Sequence, residues 1–512
     1  MRVLTGAQMK QVEENSLAFD LTYHRLMENA GGAAAAFIRR TFAVTGLKAL
    51  VFCARGNNGG DGMVVARKLA EAGAFVAVVL LDGTPQSPEA GAMYSTIRMM
   101  DVPIYDFTVD NAQVMELVEE TDIIVDAICG TGFHGELRDA HRGACMAINT
   151  AIAAVISLDI PTGVTCDTAE ADPDAVRADF TLAFDSRKPA HILPAAFPFC
   201  GQVEVLDIGI PPEAHRGVLP LFGMMETAHV FQELLPRPAD SNKGDFGRVL
   251  NIAGCASYRG AAVLSTLAAL RCGAGLVTLA SIEEVCAAVA CHAPEATLLP
   301  LARSAVGGID FEGSTAALTG ELARADSVVL GCGLGNSTHT ARLLEHVLEN
   351  AACPVIVDAD GINALAGNIH VLQKASTAVI LTPHPGEMAR LCGVTTKEIA
   401  QDRQGYAMRF AREHKVTLVL KGAGTLTASP EGGLLLNQTG NPGLAKGGSG
   451  DVLAGMIGAL LAQGLSPSRA AACAVHLHGL AADKTAARRS QYAMLPSELL
   501  EELCGVFLEQ GR

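Results

Sequence analysis

A chain of 512 residues, 49% hydrophobic and only 18% charged, is too apolar to be disordered, and has room for two to four domains at roughly 150 residues each. Its net charge of −16 argues against a general nucleic-acid or membrane-surface binder, yet leaves room for small anions held by main-chain N–H groups. The 14 cysteines contain no C-x-x-C pair, no signal core opens the chain, and no apolar run reaches the roughly 18 residues of a membrane span, so we expect reduced thiols and a cytoplasmic location.

In chain order, the apolar spacing of residues 1–16 predicts an amphipathic helix. Strands are predicted at 47–53, 74–81, 122–128, 154–160 and 180–184, with Ala-rich helices between them, one of which contains residues 63–73. Continuous Val/Ile/Leu runs alternating with helices imply a parallel sheet covered on both faces. Residues 211–223 and 234–247, rich in Pro, Gly and polar side chains, mark a boundary near 215–225. The pattern restarts with strands at 248–254, 276–280, 327–331, 354–360, 378–383 and 416–422. We therefore expect an α/β protein of two αβα domains, 1–218 and 225–512. In such sheets, ligands sit beyond the C-terminal strand ends, and the chemistry-bearing residues follow the strands in both halves.

In the first half, CARGNNGGDGMVVARKL (53–69) can offer a nest of N–H groups at a helix start, from Asn57, Asn58, Gly59, Gly60 and Asp61. The plainer alternative is a Gly-rich turn with Asp61 as helix cap. The segment is not G-x-G-x-x-G, which disfavours nicotinamide oxidoreductase chemistry. DAICGTGFHGE (126–136) supplies Asp126 and a second Gly-rich loop. In LDIPTGV (158–164), Asp159 stands at a strand end beside Pro161, whose ring stiffens the turn; a carboxylate so held can move a proton, or can merely satisfy its own turn. Lys188, in FDSRKPA (184–190), could meet a phosphate or pair with Asp159.

In the second half, DADGIN (358–363) offers Asp358 or Asp360 to magnesium, or as turn carboxylates. LTPHPGE (381–387) places His384 between two prolines, more suited to ligand contact than to core filling. VLKGAGTL (419–426) ends a strand with Lys421, Gly422, Gly424 and Thr425, suited to a nucleotide's phosphates or ribose. The strongest signal is NPGLAKGGSGDVLAG (441–455). Its glycines let the backbone approach a ligand, the following helix aims free N–H groups at the same point, and Asp451 in the first turn can accept a proton from an attacking hydroxyl. The alternative is that Asp451 only caps its helix. No Walker A motif occurs.

The GxGD turn resembles that of the ribokinase-like superfamily. KGDFG (243–247), YRGAAVLSTLAALRCGAGLV (258–277) and the motifs above follow the order of the ADP/ATP-dependent NAD(P)H-hydrate dehydratases, over residues 225–505. That resemblance implies a ribokinase-like αβα domain that phosphorylates the hydroxyl of hydrated NADH or NADPH and eliminates phosphate. It implies Asp451 as base, Lys421, Gly422, Ala423, Gly424, Thr425 and Gly450 on the adenine nucleotide, and Ala261, Gly335, His384 and Asp451 on the hydrate. ADP and Mg2+ are the expected cosubstrate and ion. Cys332 stands where proline is usual and Lys446 where threonine is frequent.

Residues 1–215 are similar to the NAD(P)H-hydrate epimerases in the order GNNGGDG, DxxxGTG, DIPxG and a Lys-Pro loop. This implies a Rossmann-like domain that interconverts the R and S hydrates with a bound K+. Asp159 would transfer the proton. Asn57, Asn58, Gly59, Gly60, Asp61, Gly130, Thr131, Gly132, Phe133, His134, Gly135, Glu136 and Asp159 would contact the hydrate. Asn58, Asp126 and Thr162 would reach K+, Thr162 standing where serine is commoner; Ala190 replaces a usual glycine. Together the halves resemble the bifunctional NAD(P)H-hydrate repair enzymes, with small-molecule partners (NADHX, NADPHX and ADP), no nucleic acid, no membrane, and an expected homo-oligomer. The alternatives are a vitamin or sugar kinase, or a degenerate nucleotide-binding module in the first half.

Overall fold

The computed structural model describes residues 2–218, 222–234 and 236–511. Two compact units divide between Phe222 and Gly223. Of the Pro/Gly-rich segments predicted to bridge the halves, residues 219–221 and residue 235 lie outside the described residues.

The first unit is built on seven parallel strands: β1 (Lys48–Cys53), β2 (Phe75–Leu80), β3 (Ile104–Asp106), β4 (Ile123–Ala127), β5 (Ala154–Leu158), β6 (Phe180–Phe184) and β7 (Gln202–Leu206). Their order is β3-β2-β1-β4-β5-β6-β7. Helices α1 (Gly6–Ser16), α2 (Tyr23–Thr41) and α3 (Asn57–Glu71) belong to this unit. Alternate residues of β1 enter two separate apolar clusters, Val51 and Cys53 in one, Leu50 and Phe52 in the other, because the central strand is buried on both faces.

The order reverses between β1 and β4, so the loops after these two strands part and open a crevice there. Thr5 caps α1 through a reciprocal box with Gln8. Just before it, the Leu4 N–H donates to the Arg187 carbonyl at 2.9 Å, which ties the start of α1 to the loop after β6.

The second unit carries ten strands: β8 (Gly223–Met224), β9 (Arg248–Ile252), β10 (Leu276–Ile282), β11 (Thr297–Leu301), β12 (Ser327–Leu330), β13 (Val355–Val357), β14 (Val379–Leu381), β15 (Thr417–Leu420), β16 (Leu426–Ala428) and β17 (Leu434–Leu436). Their order is β11-β10-β9-β12-β13-β14-β15-β16-β17-β8; pairing is parallel from β11 to β15 and antiparallel through β16 and β17.

The Ser449–Ala462 helix lies close against this sheet at Gly458 and against the Arg259–Arg271 helix at Gly455. A Cβ on Gly458 would meet Val329 at 2.5 Å, and one on Gly455 would meet the Ser265 carbonyl at 2.1 Å. These contacts fix the helix N-terminus, and with it Asp451, over the ends of β13 and β15.

Candidate active sites

In the first unit, a cavity of about 540 Å3 opens at the carboxyl ends of β1, β4 and β5. Asp159, just after β5, lines it with a backbone φ of +62°, a left-handed conformation that a non-glycine residue holds only where its surroundings demand it. Those surroundings are specific. Its N–H donates to the Leu182 carbonyl at 2.9 Å, and the His191 Nε2–H donates to its carbonyl at 2.6 Å. Lys188, buried, donates to Asp159 Oδ1 at 2.6 Å and to the Phe184 carbonyl at 2.8 Å. His191 Nδ1 accepts the Lys188 N–H, which leaves the ring proton on Nε2. Burial and the Lys188 charge push His191 down to about 4, so it is a neutral prop.

α3 begins at Asn57, with Gly56 as N-cap, so the first asparagine-glycine residues present N–H groups of its first turn toward the cavity. Asp61 lies within this helix and is not its cap, which removes the capping alternative. Burial first, then the charges of Asp159 and Glu13, raise Asp61 well above the carboxylate range.

Asp126 is wholly buried. Its carboxylate accepts from Ser157 Oγ at 2.8 Å, from the Thr162 N–H at 2.9 Å and from Thr162 Oγ1 at 2.6 Å. Asn58 differs: both polar atoms of its buried carboxamide lack a protein partner, and the Gly130 position faces both its Cγ and Asp159 Oδ2. An orphaned buried carboxamide is costly unless something fills it. Asn58, Asp126 and Thr162 offer only oxygen ligands on their acceptor side, a donor set that fits a hard monovalent cation.

In the second unit, Asp451 is the third residue of the Ser449–Ala462 helix, half-buried, behind the left-handed Gly448. Burial, with Asp358 nearby, raises it to about 6. Asp358, at the end of β13, is buried and accepts from Lys421 Nζ at 2.8 Å and from Thr382 Oγ1 at 2.6 Å. Burial alone would raise Asp358, but the Lys421 charge and these bonds hold it below the usual range. A Cβ on Gly450 would lie 3.2 Å from Lys421 Nζ and 3.6 Å from Asp358 Oδ2, so glycine keeps this corner open.

Asp360, the other candidate for magnesium, accepts the Gly335 N–H at 2.8 Å. Gly333 and Ala261 meet across the neighbouring loop, at 2.8 Å from a Cβ built on the glycine. His384 is exposed, not core, but it also caps its own helix: Nδ1 accepts the N–H groups of Gly386 and Glu387 at 3.0 and 3.3 Å. Gly422 and Gly424 both take positive φ just after β15.

The bifunctional NAD(P)H-hydrate repair enzyme Nnr of Moorella thermoacetica is 36% identical over 512 residues, spanning 98% of this chain and 96% of the relative. The chain belongs to the bifunctional NAD(P)H-hydrate repair enzymes. It therefore carries an epimerase domain followed by an ADP/ATP-dependent dehydratase domain. The enzyme of the same name from Escherichia coli is 35% identical over 485 residues, spanning 94% of this chain and 89% of the relative. Residues 249–504 match the NAD(P)H-hydrate dehydratase family model, and residues 23–190 match the model of the YjeF-related protein N-terminus. The crystal structure of the ADP/ATP-dependent NAD(P)H-hydrate dehydratase from Bacillus subtilis, co-crystallised with ATP/Mg2+, is 35% identical with a TM-score of 0.50; it covers 56% of this chain and 98% of that one.

In this repair enzyme the expected residues Asp159, Asn57, Asn58, Asp61, Gly130, Thr131, Gly132, Phe133, His134 and Glu136 line one cavity, and Asp451, Gly450 and Lys421 meet at the other site; Asp126 and Thr162 are buried behind the cavity wall, and Gly59, Gly60 and Gly135 do not line it. The sequence reading left Lys188 between two roles, and the structure selects the ion pair with Asp159. It missed Thr382, whose only signal was a hydroxyl at a strand end. It also missed Glu13, which reaches the epimerase cavity from α1 and which burial, with Asp159 close by, pushes up to about 7.

Proposed function

We propose that the first unit interconverts the R and S hydrates of NADH and NADPH with Asp159 as the proton-transferring group, and that the second dehydrates the S form at the expense of ADP with Asp451 as base. One observation carries the second assignment: a carboxyl raised to about 6 stands in the first turn of a glycine-opened helix N-terminus. A base so tuned is ionised at neutral pH yet keeps an appreciable proton affinity. It accepts the proton of the hydrate hydroxyl as that oxygen attacks the terminal phosphorus, while the free N–H groups of the helix start, the Gly450 position among them, face the migrating negative charge. Hydroxide is a poor leaving group and phosphate a good one, so elimination then restores the dihydronicotinamide.

The left-handed glycines after Lys421 let the 421–425 backbone approach the nucleotide, while Lys421 itself holds Asp358. Ala261, Gly335 and His384 are assigned to the hydrate. Asp358, Asp451 and the Cys332 thiol bring their ligand atoms within 4.8 Å of one another, and the two carboxylates among them are the hard donors that would suit Mg2+ shared with nucleotide phosphates. When bound, that ion neutralises phosphate charge.

In the epimerase cavity, Lys188 orients Asp159 through its bond to Oδ1, and Asn57, Asn58, Asp61, the stretch from Gly130 to His134 and Glu136 line the space for the hydrate. Asn58, Asp126 and Thr162 would hold K+, whose positive charge would pair with the orphaned Asn58 Oδ1.

The test is to incubate the protein with ADP, or with ATP, and hydrated NADH. Recovery of reduced-nicotinamide absorbance is expected, falling about 10²–10⁴-fold in Asp451→Asn. A stable phosphorylated product would instead mean a kinase, and undiminished recovery in the variant would remove Asp451 from its role.

A further inference from the structure

Five carboxyl groups line the epimerase cavity, Glu13, Asp61, Asp82, Glu136 and Asp159, together with one ammonium, Lys188, and the guanidinium groups of Arg55 and Arg138. Only Asp159 has the ammonium within salt-bridge distance, at 2.6 Å. The reaction explains why a second carboxyl is needed. A reduced nicotinamide is an enamine, so its hydrate carries the hydroxyl on the carbon bonded to the ring nitrogen. Inverting that carbon breaks the C–O bond as the nitrogen lone pair forms C=N+. The hydroxyl takes a proton from a carboxylic acid and departs as water. Water then adds from the opposite face, and its proton passes to a carboxylate. One proton is given and one recovered, with no redox partner. The cycle needs one proton donor and one acceptor, and Asp159, whose Oδ1 accepts from Lys188 Nζ at 2.6 Å, is placed as the acceptor.

We propose that Glu13, carried into the cavity by α1, is the second proton-transfer group of the epimerase. The inference rests on the reading of Asp159 given above. Position supports it. Met9 and Glu13 are four residues apart on one face of α1, and both line the cavity. Both ends of α1 are pinned. At its start, the Leu4 N–H donates to the Arg187 carbonyl, next to Lys188, and the Gly6 N–H to Asp167 Oδ1 at 2.8 Å; near its end, Asn15 Nδ2 donates to the Ala214 carbonyl at 2.8 Å. Glu13 is thus held in the cavity that Asp159 also lines.

The charged groups facing Glu13 are Asp159, Lys188, Asp185 and Glu14, with Asp61 across the cavity; Asp185 is itself paired with His215 at 3.2 Å. Burial and this surplus of negative charge leave Glu13 carrying its proton up to about pH 7. A donor must be protonated, so epimerisation slows as pH rises through that value.

The experiment follows interconversion of separated R and S hydrates by chromatography, on the full chain without nucleotide, across pH. Glu13→Gln is expected to lower kcat about 10²-fold with KM close to the parent's, and to abolish the alkaline limb. Glu13→Asp should recover much of the rate together with a limb. A Glu13→Gln chain with parental rate and limb, a Glu13→Asp chain no better than Glu13→Gln, or an Asp61→Asn chain that alone removes the limb would each overturn the proposal. The Asp159 reading fails separately, through an Asp159→Asn chain that epimerises like the parent.

Discussion

Asp451 and Asp159 are both strand-end or helix-start carboxyls with an ammonium close by, yet the ammonium is placed differently in the two sites. Asp159 has Lys188 to itself at 2.6 Å, whereas Lys421 spends its charge on Asp358 and leaves Asp451 raised to about 6. A base works only when ionised. The dehydratase rate should therefore fall as pH drops through about 6 and be level above it, the opposite sense to the alkaline fall expected of the epimerase. Replacing Asp358 by Asn removes a negative neighbour and frees Lys421, and both changes favour the ionised form of Asp451. The acid limb of kcat/KM in Asp358→Asn is thus expected at lower pH than in the parent, and a limb that stayed in place or rose would break the link between these residues.

At the scale of elements, the strands legible in the sequence are the buried ones. β1, β4, β5 and β6 lie inside the predicted runs because a strand covered on both faces has to be continuously apolar. The missed strands lack that signature. β3, β16 and β17 have three residues each, β7 alternates as QVEVL, and β11 contains Pro300, tolerated because β11 ends the sheet. The loops after the long strands, and so most of the candidate site residues, were legible because topology puts ligands there. Glu13 was not: it meets Asp159 across 146 positions of sequence, and nothing in an amphipathic helix says which acidic residue will face inward.

The glycine motif of α3 also has a packing role hidden in the sequence. A Cβ on Gly59 would sit 1.9 Å from the Ala54 carbonyl, and one on Gly62 would sit 2.5 Å from Ala127. Gly59→Ala should destabilise the first unit by about 2–3 kcal/mol, as overpacking against backbone does, with loss of epimerase and retention of dehydratase activity. Gly32→Ala, in open space on α2, should be neutral or stabilising by up to about 1 kcal/mol. Denaturant unfolding of the two variants beside the parent measures both, and equal stabilities would refute the packing argument.

For the whole molecule, the described residues placed at each candidate site come from a single unit. The epimerase cavity draws on α1, α3 and the ends of β1, β4, β5 and β6; the dehydratase site draws on the ends of β13, β14 and β15 and the Ser449–Ala462 helix. A dehydratase restricted to the S hydrate leaves the R form stranded, and an epimerase in the same chain relieves this by returning R to a pool that the second site drains. With the candidate side chains of each site drawn from one unit, the hydrate alone is expected to pass between them, through solvent. Asp159→Asn and Asp451→Asn chains, each unable to repair pure R hydrate, should therefore restore repair when mixed, at a rate that rises with the concentration of either. Chromatography of the hydrates together with recovery of reduced-nicotinamide absorbance measures this. A mixture no faster than spontaneous epimerisation would mean that repair demands both active sites in one chain, and that the two units do more for each other than share a gene product.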